Sequence, residues 1–286
     1  MKITGTTKIY GIFGCPVTHT ASPAMHNAAF AKLGLDCAYC PFEVAPEKIA
    51  HAAEGIRAMK LQGVNITVPH KEKILKSLDE LSPEAAVIGA VNTIVNKNGK
   101  LIGYNTDGVG FLRSLEKDGR VQIKGKKMVL FGAGGAGRAV AIQSLLVGLK
   151  DVVIVDVIDK KARDLAKHIN SKIRGLRART IPAVTDIINE VIPFADIIVH
   201  ATPIGMKPAD PLPFDTSCLH KGQIVYDLIY NPPQTKLLRT ARKKGCRTFN
   251  GLGMLLHQGC KAFEIWTGVA APVAVMDKAL KRQVYK

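Results

Sequence analysis

Residues able to do chemistry fall in three places along the 286-residue chain. Near its middle, Gly132, Gly134 and Gly137 are spaced as G-x-G-x-x-G, with Ala133, Gly135 and Ala136 between them. Glycines at this spacing allow a tight turn, close approach of a pyrophosphate to bare backbone, and close packing of a helix on the preceding strand. Asp156 follows about 20 residues on, where such a unit places a carboxylate for an adenosine ribose. Upstream, Lys71 is expected in the first turn after a strand, at the strand end where α/β folds bind ligands. A cation suits a helix N-terminus poorly, which hints at function, although a solvated lysine would read the same way. Asp107 is expected just past the open end of a hairpin, beside Asn92, where a helix N-cap would also explain it. Thr20 and Ser22 put two hydroxyls beside a helix start, as caps or as partners for a carboxylate.

These residues need elements to hold them. Residues 128–131 read as a short buried strand, the residues after Gly135 as a helix, and 152–155 as a second strand ending at Asp156. Together they make a βαβ dinucleotide unit. In the first half, 9–14 reads as a strand, and Ser22-Pro23 opens a helix over 24–33 that closes at Gly34. A strand over 36–42 follows. The next strand, 63–69, has Val64, Ile66 and Val68 on one face and Asn65 and Thr67 on the other. The stripe Ile74, Leu75, Leu78 and Leu81 predicts a helix opening at His70. Asn98-Gly99 predicts a hairpin pairing Lys97 with Lys100 and Asn92 with Asn105, followed by a helix over 109–115. Strands are expected at 196–200 and 222–230, and a helix at 254–266 bearing Gln258. Alternation of strand and helix throughout predicts an α/β fold.

Composition narrows the class. The length predicts about two domains, and no run of about 18 apolar residues suggests a membrane span. The N-terminus has no apolar core before a cleavage site, so no signal peptide and a cytoplasmic location are expected. Six cysteines in this length do not make a disulfide framework. Cys37 and Cys40, three apart in a strand, face opposite sides, so no metal site is expected there. The net charge of +17 raises nucleic-acid binding. The densest basic stretch, 160–179, includes Lys160, Lys161, Arg163, Arg174 and Arg177 without an aromatic among them. A solvated face that steers anionic ligands is expected instead.

Ordered motifs along the whole chain resemble the shikimate dehydrogenase family. They are Gly14-Cys15-Pro16 with His19 to Asn27, Asn65 to Lys71, Gly89 to Thr93, Gly103 to Gly108, the glycine run, Ala201-Thr202-Pro203-Ile204-Gly205-Met206, Tyr230-Asn231-Pro232, and Gly251 to Gly259. The resemblance implies reversible reduction of 3-dehydroshikimate to shikimate with NAD or NADP. It implies a substrate domain at 1–110 completed by 254–286, a Rossmann domain at 111–253, and a monomer or homodimer. By motif, Lys71 and Asp107 form the catalytic pair, and Thr20 and Ser22 take the carboxylate. Thr67, Asn92, Tyr230 and Gln258 surround the ring, while Leu228, Gly251 and Gly253 line the nicotinamide end.

The chain also departs from the pattern. Thr20 replaces the usual serine, and His200 stands where asparagine precedes Ala-Thr-Pro. Asp156-Val157-Ile158 replaces the Asn-Arg-Thr of NADP-using members, so a 2′-phosphate would meet a carboxylate. This predicts a preference for NAD, as in the quinate/shikimate branch; Lys160, Lys161 and Arg163 are near enough to blur it. A nucleic-acid-binding regulator would be expected to lose the catalytic pair, and both members are present.

Overall fold

The computed structural model describes residues 3–173, 175 and 177–285. The chain divides into two compact units, Met1–Gly110 with Leu255–Lys286, and Phe111–Met254.

In the first unit β1 (Lys8–Gly14) leads through α1 (Ser22–Lys32) to β2 (Cys37–Glu43), and α2 (Ile49–Ala58) leads to β3 (Gly63–Ile66). Then come β4 (Glu80–Leu81), α3 (Pro83–Ile88), the hairpin β5 (Thr93–Lys97) and β6 (Lys100–Tyr104), and α4 (Asp107–Arg113). The six strands form one mixed sheet, ordered β2-β1-β3-β5-β6-β4. Asn98 and Gly99 both take positive φ, and the strands they join pair Lys97 with Lys100, as their turn chemistry predicts. Phe13, Ile56, Val64, Ile66, Ile74, Ile94 and Leu101 share a buried core.

The second unit runs β7 (Lys127–Phe131), α5 (Gly135–Leu146), β8 (Asp151–Val155), α6 (Asp159–Lys172), β9 (Arg177–Thr180), α7 (Thr185–Val191), β10 (Ile197–His200), β11 (Ile224–Asp227), α8 (Lys236–Lys243) and β12 (Arg247–Phe249). Its strands are all parallel, ordered β12-β11-β10-β7-β8-β9. This is the doubly wound arrangement, whose order reverses between β7 and β10. The inner strands are mostly apolar, apart from their ends such as His200 and Asp227, because helices cover both faces. Finally come α9 (Leu252–Thr267), which joins the first unit from Leu255, and α10 (Val273–Val284), which packs on α1. The expected α/β fold is the observed one.

Several elements differ from expectation. The helix expected from His70 is a five-residue 3-10 turn, Lys73–Ser77, followed by β4. Asp79 explains this: its N–H donates to Leu101 O at 3.0 Å, and its carboxylate accepts the Leu101 N–H at 2.6 Å and Arg57 at 2.7 Å. Tertiary pairing with β6 overrides the helical stripe. The strand over 63–69 ends at Ile66, and Thr67 O accepts the His70 N–H in a turn. The strand over 222–230 shortens to β11, because the Asp227 carboxylate takes the Ile229 N–H. Ser22 is not a cap: it is buried at the start of α1, whose N-cap is Ala21. Within the basic stretch, Lys160 pairs with Asp164 and Arg163 with Asp159 along α6. Arg174 and the side chain of Arg177 lie outside the described residues.

Candidate active site

Strand ends gather the polar residues of the first unit. Thr67 N–H donates to Phe13 O beyond β3, Ile66 N–H donates to Asn92 O, and Val91 N–H donates to Lys71 O. The backbone of Lys71 is thereby fixed beside the start of β5. Its Nζ lies 2.5 Å from Asp107 Oδ2, both side chains being largely buried. Asp107 therefore spends its carboxylate on Lys71, and on Asn92 Nδ2 at 2.8 Å, not on capping α4. Asn92 also donates to Gln258 Oε1 at 3.3 Å, and its Oδ1 accepts the Thr106 N–H at 2.8 Å. Gln258 is held in turn by Leu255 O at 2.9 Å. Replacing a buried ion pair by apolar residues is often neutral or stabilising. Stability is thus a weak reason for this pair.

A second chain of bonds runs behind this cluster. Tyr39 donates its phenol proton to Asn65 Oδ1 at 2.7 Å, and Asn65 Nδ2 reaches Asn92 O and Thr93 Oγ1, each at 3.0 Å. Burial pushes the Tyr39 phenol well above its usual range, and the Ser22 hydroxyl partly offsets this. Ser22 is thus tied through Tyr39 and Asn65 to the backbone of Asn92. Thr20 and Thr67 are half-buried, and Thr20 Oγ1 accepts the Ser22 N–H at 3.4 Å. No hydrogen bond joins Thr20, Ser22 or Thr67 directly to Lys71 or Asp107 among the described residues. Tyr39, Asn65, Thr93 and Thr106 are the supporting residues that sequence reasoning missed. From its own chemistry Asn65 was legible only as part of the polar face of a strand, and Thr67 was assigned to the ring by motif alone.

In the second unit each glycine of the run has its own reason. Gly132 has φ +101°, a turn conformation that side chains resist. A Cβ on Gly137 would stand 2.0 Å from Gly132 O, so only glycine lets α5 sit this close. A Cβ on Gly134 would meet nothing within 4 Å. No internal packing explains that glycine; the open space over it suits an anion at the uncapped start of α5. Ala133, Gly135 and Ala136 complete the turn and first helical residues. Asp156, past the end of β8, accepts the Ala133 N–H and the Ile158 N–H, each at 2.8 Å. It lines a cavity of about 370 Å³ with Phe131, Val155, Val157, Thr202 and Ile204.

The remaining expected residues lie past β11 and β12. Tyr230 is half-buried, and burial raises its phenol pKa. A Cβ on Gly251 would come within 1.9 Å of Leu228 O, and one on Gly253 within 2.2 Å of Ser114 Oγ. Both glycines thus have packing reasons, whatever else they touch. Among the described residues, no group of three or more His, Cys, Asp or Glu could hold a metal, and no helix is long and apolar enough to cross a membrane.

A parallel sheet that places an open glycine turn and a carboxylate at its switch point is built for a dinucleotide. The same chain holds a buried lysine–aspartate pair, and the class is that of the nicotinamide-dependent oxidoreductases. The comparisons agree and go further. The shikimate dehydrogenase substrate binding domain matches residues 12–94, and the shikimate 5′-dehydrogenase C-terminal domain matches residues 251–281. A shikimate dehydrogenase (NADP(+)) of Desulforamulus reducens is 49% identical, over 100% of this chain and 98% of its own. The shikimate 5-dehydrogenase of Listeria monocytogenes, solved with shikimate and NAD, is 43% identical with a TM-score of 0.90, covering 98% of each chain. The quinate dehydrogenase of Corynebacterium glutamicum, solved with NAD, is 33% identical with a TM-score of 0.88, over 96% of this chain and 99% of that one. The chain belongs to the shikimate dehydrogenase family.

Proposed function

We propose that this chain catalyses the reversible reduction of 3-dehydroshikimate to shikimate, with NAD preferred over NADP. The contact of Lys71 with Asp107 at 2.5 Å, backed by Asn92, carries this reading. When bound, the nicotinamide supplies or takes up the hydride. Charge that develops on the ketone oxygen is met by Lys71, which gives its Nζ proton on reduction and recovers it on oxidation. Asp107 aims that proton and accepts from a substrate hydroxyl. Asn92 and Gln258 offer amide partners to the ring hydroxyls, with Thr67 and Tyr230 assigned alongside them. Thr20 and Ser22 are assigned to the carboxylate. A buried polar group left unpaired costs about 1–3 kcal/mol, so a polyhydroxylated acid needs such a set.

For the cofactor, we assign residues 132–137 to the diphosphate, Asp156 to the ribose, and Leu228, Gly251 and Gly253 to the nicotinamide end. The open approach over Gly134 supports the first assignment. Asp156 supports NAD, since a 2′-phosphate beside it meets like charge, a cost of several kcal/mol when desolvated. Of the three cations that could offset this, Lys160 and Arg163 are paired along α6 with Asp164 and Asp159, which leaves Lys161. We assign the basic surface to steering of these anionic ligands, in a cytoplasmic monomer or homodimer without nucleic-acid or membrane partners.

A second reading, a dual quinate/shikimate dehydrogenase, is favoured by Asp156 and by likeness to the quinate enzyme solved with NAD. Steady-state kinetics with shikimate and quinate, each with NAD and NADP, separates the readings. The expected outcome is highest kcat/KM for shikimate with NAD, at least about tenfold above NADP, which is roughly 1.4 kcal/mol. Equal efficiency with both cofactors removes the NAD preference, and no turnover of shikimate removes the activity.

A further inference from the structure

We propose that the buried pair His200–Asp227 sets the hydrogen-bond polarity of Thr202, making His200 a positioning residue that helps decide which dinucleotide the second unit accepts. This rests on the cofactor reading above, but on residues that reading does not use. His200 and Asp227 end β10 and β11 as registered neighbours, and neither is exposed at all. Thr202, two residues past His200, lines the cavity that Asp156 also lines.

The direction of every bond in this group follows from donor counting. Thr235 Oγ1 accepts the Leu238 N–H at 3.3 Å as the cap of α8, so its proton goes to Asp227 Oδ2 at 2.6 Å. Asp227 Oδ1 accepts the Ile229 N–H at 3.1 Å. Both carboxylate oxygens are thus acceptors, and His200 Nδ1, at 3.0 Å from Oδ1, is the donor. Where the imidazole is neutral it carries one N–H, and Nε2 is the acceptor. It lies 2.5 Å from Thr202 Oγ1, which then donates to it. Thr202 Oγ1 also receives the Ile204 N–H at 3.3 Å.

The Thr202 proton is therefore committed inward, and what remains for a ligand is a lone pair. Its methyl is placed by the glycine turn: a Cβ on Gly132 would come 3.1 Å from Thr202 Cγ2. Asp156, the other polar side chain argued to meet the ligand in this cavity, is likewise an acceptor. Two acceptors suit the free hydroxyls of an unmodified ribose, which are donors. They do not suit a 2′-phosphate, whose oxygens only accept. An amide at position 200 reverses this when its NH₂ spans both partners, one N–H to Asp227 Oδ1 and the other to Thr202 Oγ1, which releases the hydroxyl proton towards the ligand.

The test is calorimetric binding of NAD and of NADP to the full chain at pH 8 without substrate. It compares the wild type with His200→Asn, Thr202→Val and Thr202→Ser. In His200→Asn the NAD-over-NADP affinity ratio should fall about fivefold, the range one hydrogen bond gives. Thr202→Val should lower NAD affinity by a similar factor and NADP affinity much less, while Thr202→Ser should keep the wild-type ratio. A general loss of folding would weaken both dinucleotides together and leave the ratio unmoved. Should His200→Asn fail to fold, Thr202→Val and Thr202→Ser carry the test. An unchanged ratio in the folded His200→Asn and Thr202→Val proteins overturns the proposal. A wild type that binds neither dinucleotide overturns the cofactor reading itself, before any variant is needed.

Discussion

Lys71 is held at both ends: its carbonyl accepts the Val91 N–H at 2.8 Å, and its Nζ meets Asp107 at 2.5 Å. A side chain fixed this way loses little entropy when it reaches a substrate, which suits a proton donor better than a solvated lysine would. Lys71→Ala should lower kcat by roughly 10²–10⁴, the usual worth of a positioned acid–base, with a smaller change in KM. Asp107→Asn should act in the same direction. Near-normal turnover in Lys71→Ala would remove it from the chemistry. Stability gives a separate readout, because stripping one partner from a buried pair costs about 3–5 kcal/mol whereas apolar replacement of both costs far less. Thermal melts should therefore show the double variant Lys71→Met with Asp107→Leu nearer to wild type than Lys71→Ala, and kinetics should show it inactive.

At the scale of elements, the turn between β7 and α5 separates packing from binding within one motif. Gly137 is needed by the fold, since a Cβ there strikes Gly132 O, which is backbone and cannot swing aside. Gly134 is not, since a Cβ there meets open space and its φ of −72° suits any residue. Gly137→Ala should cost about 1–3 kcal/mol of stability, the range for overpacking, and weaken dinucleotide binding as a consequence. Gly134→Ala should leave the urea midpoint almost unmoved yet still raise the dinucleotide Kd. If both variants unfold alike, the division between the two glycines is wrong. The segment after β3 shows the opposite case. Its apolar stripe has helical spacing, but Asp79 reaches Leu101 and the segment becomes a short turn and an edge strand.

At the scale of the whole molecule, the buried aromatic cluster of the first unit adds to the sensitivity of stability to acid. His26 stacks on Tyr39 with centroids 4.5 Å apart and lies near Trp266, and neither ring nitrogen has a hydrogen-bond partner among the described residues. Burial lowers its pKa to about 3. In the unfolded chain an imidazole titrates near about 6.5. Between these values the unfolded chain binds a proton that the folded chain does not, so stability falls as pH drops through that window. The slope approaches about 1.4 kcal/mol per pH unit. Urea unfolding at pH 7 and pH 4.5 should show a larger loss for the wild type than for His26→Leu, which keeps the burial and removes the base. Equal losses would place the responsible proton elsewhere.

What the sequence determined by itself was local: the glycine spacing of 132–137, the Asn98-Gly99 turn with its register, and the alternation that makes the fold α/β. Each depends on residues a few positions apart, through allowed φ and side-chain period, so no distant partner is needed to read it. Tertiary structure alone decided the hydrogen-bond partners of the polar residues. Asp107 would cap α4 as readily as it pairs with Lys71, 36 residues away, and the choice follows from β5 and β6 bringing Asn92 beside both. Ser22 would cap α1, yet it is buried towards Tyr39. His200 takes its direction from Asp227, 27 residues on, because β10 and β11 are neighbours in the sheet. A hydrogen bond between distant residues is set by strand order, and strand order is a property of the packed chain.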